Sequence, residues 1–321
     1  MPVVSSSERI LIESCPVCHG RDFRPFQQVT GHAVVRCAGC GLALTNPQPS
    51  DAELGAIYGP NYVLVENDPA GEAMVLRSKR ATADHYLDLL AGFLGDATPS
   101  SRSAASARDG GVASPTKRLL EIGCGAGNFL VRAADRGFDV TGLEYSSYAA
   151  ERARINLDGR GRVLVGEVTS LADQSNAYDV CVLCDVIEHV RHPDEFVRDI
   201  LRLLRPGGVL LVVTPSLDSW SARVLGSRWM EYKAEHLYYY TRATITRQLQ
   251  NAGYTDVTLR SGTKKLSLEY VAAHFDKYPV AGITQGLRAL RAVTPRGLRE
   301  HLVSVVASGL VALARKPAPA P

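Results

Sequence analysis

The sequence lacks the marks of a membrane-spanning or exported chain. Its 321 residues contain no unbroken run of about 18 apolar residues, the length that crosses a bilayer. The first residues, MPVVSSSERILIES, show no basic stretch followed by an apolar one, so the sequence predicts no signal peptide. We therefore expect a cytoplasmic protein without a membrane span, whose cysteines stay reduced.

A strong excess of charge is also missing. The 36 Lys and Arg residues against 33 Asp and Glu residues leave a formal net charge of +3. Proteins that bind nucleic acid or anionic membranes usually carry a strong basic patch or an isoelectric point above about 9. Nucleic acid is therefore not an expected partner. With 45% apolar and 21% charged residues, the composition is typical of a globular enzyme or binding protein.

The cysteines, in contrast, are concentrated near the start of the chain. Cys15 and Cys18 form one close pair, and Cys37 and Cys40 form another after an interval of 18 residues. This spacing is typical of a zinc site, and four thiolates leave no open position, so the predicted Zn²⁺ is structural. A redox role for one pair would need a strand–helix context that is absent here. Such a short segment buries little core, so a zinc-ribbon-like module would depend on its metal for stability.

Composition divides the chain into five segments. The segment 96–117 contains no Leu, Ile, Met or aromatic residue and cannot bury enough surface to order itself, so we interpret it as a flexible linker. The predicted segments are a zinc-binding module (1–46), a helical cap (47–95), the linker (96–117), a main domain (118–316) with a helical insertion (266–306), and a disordered tail (317–321).

Strands and helices alternate from Arg118 onward. Short apolar runs such as RLLEIG, YDVCVLCDV and VLLVVTP are separated by helical patterns. This alternation predicts an α/β fold, with a doubly wound, mostly parallel sheet and helices on both faces. The nearly continuous apolar strands agree with burial on both sides.

A glycine-rich loop follows the first of these strands. Gly123, Gly125 and Gly127 stand between a strand and a helix, where the backbone can approach a ligand closely. The dinucleotide fingerprint would need a glycine where Asn128 stands, and the Gly-Lys-Ser/Thr of a phosphate-binding loop is absent. Glu144, at the end of the second strand, can accept both hydroxyls of an unphosphorylated ribose.

In these residues the chain resembles the class I S-adenosylmethionine-dependent methyltransferases. Segment 121–127 matches their first motif and Glu144 their ribose-binding acid. Segment 166–168 stands where these enzymes contact adenine, 178–190 looks like their fourth-strand motif, and 204–208 looks like the turn before their fifth strand. The resemblance covers residues 118–262 and implies a Rossmann-like sheet of seven strands with S-adenosylmethionine as cofactor.

The resemblance also implies roles for single residues. Glu121 and the amides of the glycine loop would hold the methionine moiety, Glu144 the ribose, and Glu167 the adenine amino group. The complete predicted cofactor set is Glu121, Gly123, Gly125, Gly127, Glu144, Tyr145, Glu167, Val168 and Cys184.

Two Glu-His pairs are the candidates for acceptor chemistry. Glu188 and His189 follow the fourth strand, and Glu235 and His236 follow the fifth. An imidazole can remove a proton from the acceptor near neutral pH, and a neighbouring carboxylate can orient it. The alternative is structural: His189 ties its turn to the sheet, or His236 caps the following helix.

Aromatic residues are dense between positions 220 and 240. Their rings can surround a sulfonium or stack on a planar acceptor, but they can equally form the core of a cap over the sheet. Tyr58 and Tyr62 are further candidates for closing the cofactor pocket. The aromatic residues of the dense segment are Trp220, Trp229, Tyr232, Tyr238, Tyr239 and Tyr240.

A four-cysteine module ahead of this core is similar to two groups of methyltransferases. One group methylates carbon atoms of nucleotide-linked sugars, but its additional C-terminal domain does not fit in 321 residues, so O-, N- and C-methylation stay open. The other group methylates ribosomal RNA bases, and its Asn/Asp-Pro-Pro-aromatic motif is replaced here by Asp185-Val186-Ile187.

We therefore predict methyl transfer to a small-molecule acceptor: a sugar, a glycan or a secondary metabolite. The mechanism would be an in-line displacement with a His/Glu general base. The alternatives are a zinc-finger-containing rRNA or tRNA methyltransferase and a non-catalytic module that binds S-adenosylmethionine. The oligomeric state stays open.

Overall fold

The computed structural model describes residues 8–57, 69–95, 116–277 and 279–318. Most of the predicted linker (96–115), Tyr58, Tyr62 and the last three residues of the predicted tail lie outside the described residues. In the described part of the chain, no helix is both long and apolar enough to span a membrane.

The N-terminal part is a small antiparallel sheet followed by two helices. Helix α1 begins with a capping box, in which Ser50 Oγ accepts from the Glu53 N–H at 3.1 Å and Glu53 Oε2 accepts from the Ser50 N–H at 2.8 Å. The elements are β1 (Phe23–Val29), β2 (His32–Cys37), β3 (Ala43–Thr45), α1 (Asp51–Ile57) and α2 (Pro69–Leu94).

A seven-stranded sheet forms the centre of the chain. Its strands are β4 (Arg118–Ile122), β5 (Asp139–Glu144), β6 (Gly161–Val165), β7 (Tyr178–Cys184), β8 (Leu204–Pro215), β10 (Thr255–Leu266) and β11 (Val303–Arg315). The remaining strand, β9 (Tyr238–Tyr239), pairs elsewhere. The spatial order is β10-β11-β8-β7-β4-β5-β6.

The winding of this sheet creates a ligand-binding edge. Strands β4 to β8 run parallel, and β11 pairs antiparallel with both β8 and β10. The chain moves outward from β4 to β6 and then returns to β7 on the other side of β4. In open α/β sheets, ligands bind beyond the carboxyl ends of the strands at such a reversal. The predicted doubly wound, mostly parallel sheet is confirmed.

Helices cover both faces of the sheet, because successive strand residues point to opposite sides. Leu119 and Val180 belong to a core shared with α2 and the next two helices, whereas Leu120 and Cys181 belong to the core on the other face. The helices are α3 (Asn128–Asp135), α4 (Ser147–Leu157), α5 (Pro193–Leu203), α6 (Trp220–Leu225), α7 (Arg242–Asn251), α8 (Leu268–Lys277), α9 (Ile283–Val293) and α10 (Arg296–Arg299).

Two strands are longer than their sequence patterns suggested. Strand β8 begins at Leu204 and so includes Gly207 and Gly208, which we expected to lie in a turn. Pairing explains the difference: the Gly207 N–H donates to the Lys316 carbonyl at 3.0 Å, and the Lys316 N–H donates to the Gly208 carbonyl at 2.8 Å. Strand β10 extends to Leu266 and strand β11 begins at Val303, so both ends of the predicted helical insertion (266–306) belong to strands.

The N-terminal sheet and the main sheet share one core. Strand β9 adds to the edge of β3, with Leu44 opposite Tyr238 and Ala43 opposite Tyr239. Cys15 and Leu44 are fully buried in the same cluster as residues of β4 and β7. The N-terminal sheet of β1, β2 and β3 (the cysteine-bearing sheet) therefore packs directly against the segment that follows β8.

Candidate active site

The glycine loop after β4 combines tight packing with an open space. A Cβ on Gly123 would lie 2.6 Å from Val186 Cγ2, which is too close without a shift, and one on Gly127 would lie 3.1 Å from Ala153 Cβ, so both positions are tightly packed. A Cβ on Gly125 would meet no described atom within 4 Å, although its φ of +51° also favours glycine. The loop thus leaves backbone groups accessible at the carboxyl edge of the sheet.

Two acidic side chains border this loop. The Glu144 carboxylate accepts from the Gly125 N–H at 2.7 Å and from the Ser146 N–H at 3.0 Å, which holds the loop against the end of β5. Glu121 is 3% exposed, and its Oε2 has no hydrogen-bond partner among the described residues. Burial and the nearby charge of Glu144 raise the pKa of Glu121 well above its ordinary value. An unpartnered buried carboxyl oxygen of this kind suits a ligand that carries a hydrogen-bond donor or a positive charge.

The remaining predicted cofactor residues stand on neighbouring strand ends. Glu167 is exposed just beyond β6, where its carbonyl accepts from the Ser170 hydroxyl at 2.6 Å, and Val168 is 8% exposed. Tyr145 is 75% exposed beyond β5, and Cys184 ends β7 with a pKa that burial raises. The predicted residues therefore lie at or just beyond the carboxyl ends of four adjacent parallel strands.

Both Glu-His pairs contribute to a single cluster. One ligand atom each from Glu188, His189 and His236 lies within 4.8 Å of the others. The two imidazole rings stand edge to face, with centroids 4.8 Å apart. His189 Nδ1–H donates to the backbone carbonyl of Glu235 at 3.0 Å. Glu235 thus contributes its backbone to this cluster, whereas its carboxylate is not part of the group.

Burial gives the cluster unusual protonation states. Glu188 is 1% exposed, and burial together with the charge of Asp185 raises its pKa to about 8. His236 is 3% exposed, and burial and His189 lower its pKa to about 3. Burial also lowers the pKa of His189. Near pH 7 both imidazoles are therefore neutral, and each keeps one ring nitrogen without a proton.

Hydrogen bonding leaves two atoms of the cluster available. Glu188 Oε2 accepts from the Thr214 hydroxyl at 2.9 Å, but Oε1 has no partner in the described structure. His236 Nδ1 likewise lacks a described partner. Helix α7 is capped by Thr241 and not by His236, because the Thr241 hydroxyl accepts from the Thr244 N–H at 3.2 Å.

The raised pKa of Glu188 predicts how stability depends on pH. A carboxyl whose pKa is higher in the folded chain favours folding at low pH, and this contribution is lost as the pH rises from 4.5 toward 8. As the pH rises between those values, the free energy of unfolding of Glu188→Gln, measured by chemical denaturation, should therefore increase relative to that of the parent. The exposed Glu195→Gln is the control. Parallel pH curves for parent and Glu188→Gln would contradict the buried, neutral carboxyl.

Charged residues that the sequence reasoning missed surround the cluster. Asp185 has a φ of +54° at the end of β7, and its carboxylate lies 3.8 Å from the Lys264 ammonium of β10. Glu231 accepts from the Ser308 hydroxyl at 2.6 Å. Burial would raise the pKa of Glu231, but Lys233 and Lys264 outweigh it and lower the pKa to about 2. No sequence motif indicates Lys264, because only the fold brings this part of β10 close to the end of β7.

Most of the aromatic segment lies in the core. Trp229, Tyr238, Tyr239 and Tyr240 are at most 2% exposed. The Tyr238 hydroxyl donates to a backbone carbonyl at 2.8 Å, and the Trp229 indole N–H donates to a serine hydroxyl at 3.2 Å. The structure thus supports the interpretation of these rings as packing. Trp220 differs, with an exposed fraction of 56%.

The four N-terminal cysteines form a second ligand-rich group. The sulfur atoms of Cys15 and Cys40 are 3.5 Å apart, those of Cys18 and Cys37 are 3.4 Å apart, and all four lie within 4.8 Å of one another. Four sulfurs at about 2.3 Å from a tetrahedral zinc ion would be separated by about 3.8 Å. The set fits that ion in both chemistry and size.

The family of the chain follows from its sequence. A family model described as a methyltransferase domain matches residues 85–259, more than half of the chain. The chain belongs to this methyltransferase family. The methyltransferase sheet, the glycine loop and the acids beside it account for the matched region, and the prediction of a class I S-adenosylmethionine-dependent methyltransferase is confirmed.

Curated relatives carry a more specific name. The ubiquinone biosynthesis O-methyltransferase of Caulobacter vibrioides is 38% identical over 114 residues, which cover 33% of this chain and 45% of the relative. The enzyme of the same name from Maricaulis maris is 31% identical over 119 residues, which cover 35% of this chain and 47% of the relative. The chain thus spans about half the length of the curated relatives it matches.

A solved structure agrees with the fold over a larger region. It is the Haloferax volcanii complex of the Trm112 methyltransferase activator with a methyltransferase. It matches with a TM-score of 0.50 and 18% identity, and the match covers 78% of this chain and 95% of that chain. At this identity the likeness shows the shared fold alone.

S-adenosylmethionine is the methyl donor of this fold, and the described residues fit it. No atom of the described residues fills the space beside Gly125, and among those residues one oxygen of the Glu121 carboxyl has no partner, so a charged group of the donor can bind there.

Proposed function

We propose that the chain transfers a methyl group from S-adenosylmethionine to a hydroxyl oxygen of a small molecule. The observation that carries the proposal is the cluster of Glu188, His189 and His236, with neutral imidazoles beside the glycine loop. Val186, which contacts Gly123, stands two residues before this cluster. The names of the curated relatives support oxygen as the acceptor atom.

The cofactor site uses the ends of the parallel strands. When bound, S-adenosylmethionine supplies an electrophilic methyl group on a sulfonium sulfur. Glu121 would bind the methionine ammonium through its unpartnered oxygen, and Glu144 would bind the ribose hydroxyls. Glu167 would bind the adenine amino group, with Val168 providing apolar contact. Tyr145 and Cys184 border the same edge.

The cluster then acts on the acceptor. His236 or His189 accepts the hydroxyl proton as the oxygen attacks, because burial keeps both imidazoles neutral. The ionised Glu231 stabilises the resulting imidazolium of His236. Glu188, protonated at neutral pH and anchored by Thr214, can orient the acceptor through its second oxygen.

The acceptor in this proposal is a hydroxylated sugar, glycan or secondary metabolite. The charged side chains of Asp185, Lys264 and Glu231 give the site polar groups that suit several hydroxyls. Incubation with a panel of sugar nucleotides and phenolic metabolites, followed by mass spectrometry for the gain of one methyl group, tests the acceptor class. If no compound of the panel gains a methyl group under conditions in which the protein binds the cofactor, the acceptor class is wrong.

The glycine loop offers a direct test of cofactor binding. Gly125→Asp places a carboxylate in the open space beside Glu121 and Glu144, so affinity for S-adenosylmethionine should fall about 10²-fold or more. Isothermal titration calorimetry measures the change. Gly159→Asp is a matched control, because Gly159 has a similar φ of +73° and equally open surroundings at the other edge of the sheet. A parent protein that does not bind the cofactor would refute the proposed function.

We also propose that the four N-terminal thiolates bind one structural Zn²⁺. The spacing of Cys15, Cys18, Cys37 and Cys40 and the distances between their sulfurs support the assignment. Gly20 and Gly39 leave room for the cluster, since a Cβ on either would lie 3.3 Å from Cys18 Sγ.

A further inference from the structure

The cysteine-bearing sheet reaches the candidate active site through the end of β3. Thr45 is 2% exposed, and its hydroxyl donates to the backbone carbonyl of His236 at 3.0 Å. The Thr45 N–H donates to the carbonyl of Leu237 at 3.0 Å. The hydroxyl and the N–H of this threonine therefore bind two consecutive residues that lead into β9.

The same segment also binds the turn after β7. The Leu237 N–H donates to the Glu188 carbonyl at 2.8 Å, and His189 Nδ1–H donates to the Glu235 carbonyl at 3.0 Å. One backbone–backbone bond and one bond from an imidazole to a backbone carbonyl thus join the two loops that carry the Glu-His pairs. Thr45 supports this junction through its bonds to His236 and Leu237.

We propose that Thr45 is a positioning residue for methyl transfer, whose hydroxyl fixes the His236 backbone and thereby the direction of its imidazole. The inference rests on the proposed role of His236. It makes the cysteine-bearing sheet part of the acceptor site. Because β3 begins only three residues after Cys40, the four-cysteine cluster sets the position of Thr45.

The geometry explains why one hydroxyl matters here. The His236 side chain is buried beside His189, Glu188, Glu231 and Lys233, so a small rotation changes which of them the imidazole faces. Misplacement of a reacting group by about 1 Å can cost about 10²-fold in rate. The hydroxyl of Thr45 is a buried donor that opposes such a movement.

The test is a set of substitutions that differ in one hydroxyl. Thr45→Val keeps the shape of the side chain but removes the donor, so kcat should fall by about 10- to 100-fold. The Kd for S-adenosylmethionine, measured by calorimetry, should be unchanged. Thr45→Ser restores the hydroxyl and should recover most of the rate. In Thr45→Ala water can reach the freed carbonyl, and the same loss of rate is expected.

A second measurement does not depend on activity. In nuclear magnetic resonance titrations of labelled histidine, the pKa of His236 should rise toward its ordinary value in Thr45→Val, because the loosened segment admits water. It should stay low in Thr45→Ser. Thr255→Val is the control: the exposed Thr255 of β10 also donates its hydroxyl to a backbone carbonyl, that of Arg315 at 3.3 Å, but at the opposite edge of the sheet.

The outcomes separate this inference from the proposed function. If His236→Gln is inactive while Thr45→Val matches the parent in kcat and in the pKa of His236, the positioning role of Thr45 is wrong and the proposed function stands. If His236→Gln keeps the parent rate, the proposed base is wrong. Equal losses of kcat in Thr45→Val and Thr255→Val would show that Thr45 contributes only to general stability, and they would overturn the inference.

Discussion

Replacing His236 by glutamine is expected to lower the rate of methyl transfer by at least about 10²-fold. Glutamine keeps a polar side chain of similar length but cannot accept a proton. His236 is buried, neutral near pH 7, and has an Nδ1 without a described partner. Single-turnover kinetics at saturating S-adenosylmethionine measures the effect on the chemical step.

Controls decide whether this loss is chemical or structural. The exposed His192→Gln should retain the rate, and cofactor affinity should be the same in both variants. If only His189→Gln loses activity, His189 is the base and His236 supports it. A His236→Gln protein that melts far below the parent would favour a structural role for the imidazole.

Replacing Cys37 by serine is expected to release the metal and to destabilise the whole chain. Zinc contributes about 10–16 kcal/mol of apparent binding free energy in isolated zinc-finger peptides, and that energy stabilises the fold around it. In this chain β3 pairs with β9 and shares a core with the main sheet, so the loss should not stay local. Elemental analysis gives the metal content, and thermal melting with and without a chelator gives the stability.

A cysteine outside the cluster provides the matched control. Cys181 is fully buried in β7, and Cys181→Ala should keep one zinc ion per chain and lose only a small part of the stability. Full metal content in Cys37→Ser would contradict the four-thiolate site. Loss of the metal without any change in melting would contradict the shared core.

Local patterns predicted the central sheet well. Strands β4 and β7 are mostly apolar and bounded by turn residues, and the glycines after β4 adopt positive φ angles, which glycine favours. Helix α5 follows from Pro193 in its first turn and an apolar face. In these segments short-range chemistry and long-range packing favour the same structure.

Predictions were less complete where pairing is long-range. The extension of β8 depends on backbone bonds with Lys316, over 100 residues away in the chain. Strand β9 has only two residues, and its partner is β3. Neither pairing leaves a periodic signal, because backbone hydrogen bonds do not select particular side chains.

The sequence alone determined the chemical inventory: the four-cysteine spacing, the glycine loop with its acids, and two Glu-His pairs. The tertiary structure alone decided that both pairs meet in one cluster, that Glu231 and Lys264 accompany it, and that Thr45 supports His236. The physical reason is that residue type and spacing fix which atoms can bind or transfer a proton. Burial and distance, which set their pKa values and their partners, arise only when distant segments pack together.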